Sequence, residues 1–198
     1  MSRPACAQCL RPLTCCLCSL IPRLDSRTRL LILQHPSETR HALNTARLAA
    51  LGLIQARLEI GEVFDSLAQW LDVPGYRPCV LFPDEQAITL APYAVTDQPW
   101  LLVVPDGTWR KARKLMHMNP LLQTLPKVTL AAPAPSRYRL RKAPMTGALS
   151  TIEAIAQSLE CLEPDGDFTA LLRPFEQLIE GQISAMGADT FARNHAER

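Results

Sequence analysis

Two groups of residues carry types and spacings that can do chemistry, and each suits a different task. The first is N-terminal: Cys6-Ala-Gln-Cys9 is a C-x-x-C, and Cys16-Leu-Cys18 is a C-x-C seven residues beyond Cys9. Zn²⁺ favours four thiolates in a tetrahedron, and two short chelating turns supply them from a segment too small to build a core. Closing such a site contributes folding free energy to residues that otherwise lack it. Cys15 competes for the third ligand position. A Cys₄ site leaves no open position for substrate, so the expected zinc is structural. A redox dithiol is the rival, but that motif opens a helix after a strand, and no strand pattern precedes Cys6. Cys79 and Cys161 stand in apolar surroundings and read as core residues.

The second group is Pro105-Asp106-Gly107-Thr108-Trp109, which follows an apolar strand and opens a basic helix. Ligands of open α/β sheets bind at the carboxyl ends of strands, where helix N-termini offer N–H groups. Asp106 is therefore placed to orient a ligand or to accept a proton; the alternative is that it only caps the helix. Trp109 suits core packing or base stacking. The following helix carries Arg110, Lys111, Arg113, Lys114 and His117. Cations near a helix N-terminus oppose its dipole, so an external polyanion explains them better than local stability does. Arg137, Arg139, Arg141 and Lys142 alternate as an extended segment tracking phosphates would. Ser150-Thr-Ile-Glu153 is an S-x-x-E capping box ahead of an apolar run.

The elements that must position these groups follow from periodicity. Continuous apolar runs predict strands at Leu30–Leu33, Cys79–Phe82 and Trp100–Val104, with further strands at Ile54–Ile60, Val128–Ala131 and Tyr138–Leu140. Helices are expected over Ala42–Leu51 with Gly52 as the stop, and over Phe64–Leu71, Thr108–Met118, Thr151–Leu162 and Phe168–Met186. Strands alternating with helices predict an α/β fold with a largely parallel sheet covered on both faces. The one boundary falls after the cysteine segment, giving a zinc module at 1–25 and a main domain at 26–198.

Charge points to the partner. The net charge is only +2, yet Arg110–Ile152 holds nine Lys or Arg and no acid, and the chain from Glu153 onward holds nine acids and three arginines. A basic middle in a near-neutral chain predicts a positive surface that meets nucleic acid. No apolar run is long enough to span a membrane, and the N-terminus lacks the apolar stretch of a signal peptide. A cytoplasmic, reducing location is expected. Nothing in the sequence marks an oligomeric interface.

In order along the chain stand the C-x-x-C and C-x-C, Arg11-Pro12, Ile21-Pro22, Gln34-His35-Pro36-x-Glu38, Asn44-Thr45, Asp106-Gly-Thr-Trp109 and Leu149-Ser-Thr-x-Glu153-Ala154. This ordered set resembles the DTW-domain family, named for the D-x-T-W motif, from Cys6 to about Leu162. The bacterial branch of that family is described as tRNA-uridine aminocarboxypropyltransferases, which move the 3-amino-3-carboxypropyl group of S-adenosylmethionine to N3 of a variable-loop uridine. The family is also similar to SPOUT-like proteins, whose α/β fold binds S-adenosylmethionine in a knotted C-terminal region. Knots are rare enough that sequence alone does not predict one. The family's R-P-x-x-x spacing selects Cys16 over Cys15.

The resemblance implies Asp106, Thr108 and Trp109 as catalytic residues and His35, Pro105, Leu149, Ser150, Thr151 and Glu153 as the donor site. The metal ligands are Cys6, Cys9, Cys16 and Cys18. Transfer RNA would be gripped by Arg110, Lys111, Arg113, Lys114, Arg137, Arg139, Arg141 and Lys142, with Arg3 and Arg11 adding to that surface. The rivals are an S-adenosylmethionine-dependent RNA methyltransferase and a non-catalytic zinc-containing RNA-binding module.

Overall fold

The computed structural model describes residues 4–91, 98–131, 134–138 and 148–187. Among these described residues six strands form one sheet: β1 (Arg29–Gln34), β2 (Ala56–Ile60), β3 (Arg77–Leu81), β4 (Ile88–Thr89), β5 (Trp100–Asp106) and β6 (Lys127–Thr129). Their order is β2-β1-β5-β3-β6-β4, and every pairing is parallel. The helices are α1 (Ala46–Gly52), α2 (Leu67–Leu71), α3 (Trp109–Met118), α4 (Pro120–Thr124), α5 (Thr151–Leu162) and α6 (Arg173–Met186).

Period-two alternation within buried strands divides the core into two layers. Leu30 and Ile32 of β1, with Leu102 and Val104 of β5, pack against α1, α5 and α6 through Leu48, Ile155, Leu159 and Phe175. Leu31 and Leu33, with Leu101 and Val103, face Leu67, Leu115 and Leu122 on the other side. Leu30 to Leu33 are at most 1% exposed, which explains why β1 reads as an unbroken apolar run. The doubly covered parallel sheet expected from the sequence is thus the observed one.

The differences from expectation have local causes. Helix α1 begins at Ala46, four residues later than its periodicity suggests, because Asn44 engages the chain on both sides of itself. Its Nδ2 donates to the Glu38 carbonyl at 3.0 Å, and its Oδ1 accepts the Arg47 N–H at 3.4 Å. The expected Phe168–Met186 helix is a 3₁₀ turn at Thr169–Leu172 followed by α6. Pro174 lacks an N–H for the preceding turn and suits the start of a new helix. Strand β4 has two residues, too few for any periodicity, and α4 has five. Of the late strand expected at Tyr138–Leu140, Tyr138 is in no strand and the rest lies outside the described residues.

Gly52 ends α1 for a reason other than a left-handed turn: a Cβ there would stand 2.5 Å from Leu171 Cδ1, in the fully buried core. Gly52→Ala must displace Leu171. We expect a loss of about 1–3 kcal/mol in urea unfolding, the usual range for overpacking. An unchanged midpoint would mean that Leu171 finds another rotamer at no cost.

Candidate active site and metal centre

The parallel register of β1 and β5 sets Gln34 directly beside Asp106, at the carboxyl ends of both strands. Asp106 is 7% exposed and Gln34 fully buried. Gln34 Nε2 donates to Asp106 Oδ2 at 2.8 Å, and Thr151 Oγ1 donates to Asp106 Oδ1. The Asp106 carbonyl accepts the His35 N–H at 3.0 Å. Three segments far apart in the chain therefore meet on one residue. Asp106 does not cap α3; the N-cap is Thr108.

The direction of the Gln34 bond is fixed from a distance. Asn44 must present its oxygen toward Gln34, because its amide nitrogen is used on the Glu38 carbonyl and its oxygen on the Arg47 N–H. Gln34 Nε2 consequently donates to Asn44 Oδ1 at 3.2 Å as well as to Asp106. Asp106 is thereby held as an acceptor. Burial pushes its pKa up, the Thr151 and Gln34 donors push it down, Glu38 pushes it up again, and the net direction is upward. Among the described residues Gln34 Oε1 is buried without a hydrogen-bond partner, a cost accepted for this orientation.

His35 is also fully engaged. Ser37 donates its N–H to Nδ1, so the ring proton sits on Nε2, which meets Glu62 at 2.8 Å. Glu62 in turn pairs with Lys114 at 2.6 Å, and Lys114 holds its carboxyl below the ordinary range. Gly107 gives close approach: a Cβ there would lie 2.9 Å from Lys111 Cβ.

Beside this cluster a cleft of about 510 Å³ opens at the strand ends. Pro105, Gly107, Trp109, Leu149 and Thr151 line it, together with Phe82 beyond β3. Phe82 and Trp109 meet edge to face, with centroids 6.2 Å apart. The volume suits one small ligand, for which the usual range is roughly 300–1,000 Å³. Of the residues expected to hold the donor, Pro105, Leu149 and Thr151 border the cleft. Glu153 is 1% exposed and completes the capping box with Ser150, accepting its N–H at 2.8 Å and its Oγ at 2.7 Å. It also accepts the Arg137 N–H at 2.6 Å and so docks the 134–138 segment. Thr108 is exposed.

The basic residues divide. Arg110 and Arg113 are exposed on α3, whereas Lys111 pairs with Glu38 at 2.6 Å and Arg137 pairs with Glu176 of α6. Arg139, Arg141, Lys142 and Arg3 lie outside the described residues. Arg11 is half-buried against its own fold, a different setting from the outward RNA-facing one expected of it.

Cys6, Cys9, Cys16 and Cys18 bring their sulfurs within 4.8 Å of one another. Cys6 and Cys18 are 3.6 Å apart, and Cys9 and Cys16 3.8 Å apart. Four sulfurs about 2.3 Å from a central Zn²⁺ lie about 3.8 Å from each other, so the donor set fits that ion. Cys15 is exposed and outside the cluster. The N–H groups of Cys9 and Gln8 pull Cys6 down to about 6, and burial pushes Cys18 up to about 12. Elemental analysis is expected to find one zinc per chain, lost in Cys16→Ser and kept in Cys15→Ser. Equal losses would put Cys15 among the ligands.

Sequence alone assigns no role to Gln34, Asn44 or Glu62. A polar Gln closing an apolar strand was the available signal for Gln34; Glu62 offered none.

Comparison with known proteins adds the context. The DTW domain family model matches residues 3–183. The tRNA-uridine aminocarboxypropyltransferase 2 of Drosophila melanogaster is 32% identical, over 91% of this chain and 76% of its own length. That of Mus musculus is 32% identical over 91% and 64%. The Arabidopsis thaliana tRNA-uridine aminocarboxypropyltransferase A is 28% identical over 83% and 75%. No solved structure matches the chain.

Proposed function

From the premise that this chain belongs to the DTW-domain family, we propose that it transfers the 3-amino-3-carboxypropyl group of S-adenosylmethionine to N3 of a tRNA uridine in the variable loop. The observation that carries this reading is the meeting of the Gln34, Asp106 and Thr151 segments beside the cleft. The bond from sulfur to the methionine γ-carbon breaks, a bond from N3 to that carbon forms, methylthioadenosine leaves and the N3 proton goes to solvent water at the open cleft. A splayed loop nucleotide is a better target than a paired one, since the base edge must be reached.

The donor would rest against Pro105, Leu149 and Thr151, with Trp109 and Phe82 as its aromatic wall. Both Asp106 oxygens are occupied by donors, and the carboxylate sits behind the residues that line the cleft. We assign it an orienting and charge-compensating role toward the cationic donor. Direct proton removal would require uridine N3 to reach a carboxylate that does not line the cleft. Transfer RNA would meet the exposed Arg110 and Arg113 of α3, with Lys114 beside them. The SPOUT relationship belongs to this proposal, supported by the all-parallel sheet and the ligand-sized cleft at its carboxyl ends. The cysteine cluster would hold Zn²⁺ in a structural role.

S-adenosylmethionine labelled in the carboxyl group or in the methyl group, incubated with tRNA lacking the modification, tests the reaction. Carboxyl label is expected in the RNA; methyl label would mean a methyltransferase, and neither a binding module. Asp106→Asn removes the charge at constant size, and kcat is expected to fall at least about 100-fold with tRNA binding retained. In the wild type, the ionised form is lost as pH falls through a folded pKa lying above 3.8. The acid limb of the rate profile therefore lies above the ordinary Asp range. Undiminished transfer by Asp106→Asn would remove Asp106 from the mechanism.

A further inference from the structure

Arg11 lies between the two cysteine pairs, but its side chain leaves the cysteine cluster. Its Nη1 donates to the Ala42 carbonyl at 2.9 Å and its Nη2 to the Asn44 carbonyl at 3.3 Å. One planar guanidinium thus bridges two carbonyls of the turn that precedes α1. An ammonium has no such fork. The same turn carries the Asn44 side chain, which orients Gln34, which donates to Asp106. A continuous hydrogen-bonded path therefore runs from the cysteine cluster to the carboxylate beside the cleft.

The near end of that path depends on the cluster being closed. Leu10, between Cys9 and Arg11, has φ +59°, a left-handed conformation that a non-glycine residue adopts at a cost of about 1 kcal/mol. The turn is tied by Leu10 N–H to the Cys6 carbonyl at 2.9 Å and by Cys6 N–H to the Arg11 carbonyl at 2.7 Å. Four thiolates on one Zn²⁺ would hold that conformation, and its loss would free the turn to relax and release the guanidinium from its two carbonyls. Arg47 Nη1, reaching the Gln8 carbonyl at 3.4 Å, is a second tie between α1 and the cysteine turn.

We propose that Arg11 is a positioning residue for the transfer reaction, coupling the closed cysteine module to Asp106 through Asn44 and Gln34. This rests on the transferase reading above, and it gives the metal module a part in catalysis without contact with substrate. Among the described residues the groups facing Asp106 are Gln34 from β1, Thr151 from α5 and Glu38 from the turn after β1, with Lys111 of α3 paired to Glu38.

Arg11→Lys keeps the charge and loses the bridge. Its zinc content is read by elemental analysis, and the Asp106 carboxyl is titrated by carbon-13 NMR in protein free of donor and tRNA, the signal assigned by its loss in Asp106→Asn. The expected result is unchanged zinc, an Asp106 midpoint moved to higher pH as Gln34 loses its orientation, and kcat lowered about tenfold with KM for tRNA within about twofold. An unmoved Asp106 together with a raised KM for tRNA would overturn the proposal in favour of direct RNA contact. If Arg11→Lys loses its zinc or fails to fold, Asn44→Ala carries the test from outside the cysteine module. It should keep zinc and show the same upward shift, and an unmoved Asp106 there also overturns the coupling. In the double variant the Asp106 shift should not exceed that of Asn44→Ala alone; additive shifts mean independent effects and contradict it. Because the titration needs neither substrate, it stands even if the wild type proves to transfer nothing.

Discussion

A carboxylate buried at the end of a parallel sheet must find donors or change its protonation state, and most of this active-site architecture answers that demand. Asp106 has Gln34 as its register neighbour and Thr151 at the first turn of α5. Each partner is itself constrained. Gln34 is oriented by Asn44, Asn44 by two backbone groups, and α5 by a capping box whose Glu153 also anchors the 134–138 segment. Removing any of these leaves a buried polar atom without a partner, which explains why polar residues occur at element ends in a core that is otherwise aliphatic.

The fold was readable where burial imposes a simple pattern. Apolar runs at Leu30–Leu33, Cys79–Phe82 and Trp100–Val104 became β1, β3 and β5, the alternating Ile54–Ile60 stretch contained β2, and Thr151–Leu162 became α5 residue for residue. What escaped notice was decided by side chains acting over long sequence distances. No periodicity announces that Asn44 delays α1, and five residues are too few to announce α4. At the site, Asp106 was legible as a strand-end acid. Gln34 was visible only as a polar residue closing an apolar strand, because its task depends on a strand that is 72 residues away in the chain.

Charge was legible as a total and misleading in detail. The basic stretch is real, but folding brings acids to meet it: Glu38 takes Lys111, Glu62 takes Lys114, and Glu176 takes Arg137. These pairs are exposed or half-exposed and contribute little to stability. Their consequence is to concentrate the outward positive field of α3 on Arg110 and Arg113, next to the mouth of the cleft. The cysteine segment, too, is less separate than its composition suggests, since Cys9 and Leu17 pack into the same apolar layer as β1 and α5.

The most direct measurement is a nucleoside analysis of unmodified tRNA after reaction with the protein and S-adenosylmethionine, with methylthioadenosine quantified alongside. The account predicts uridine carrying the aminocarboxypropyl group at N3, formed mole for mole with methylthioadenosine. A methylated nucleoside with S-adenosylhomocysteine, or tRNA bound but unaltered and no methylthioadenosine formed, would contradict it.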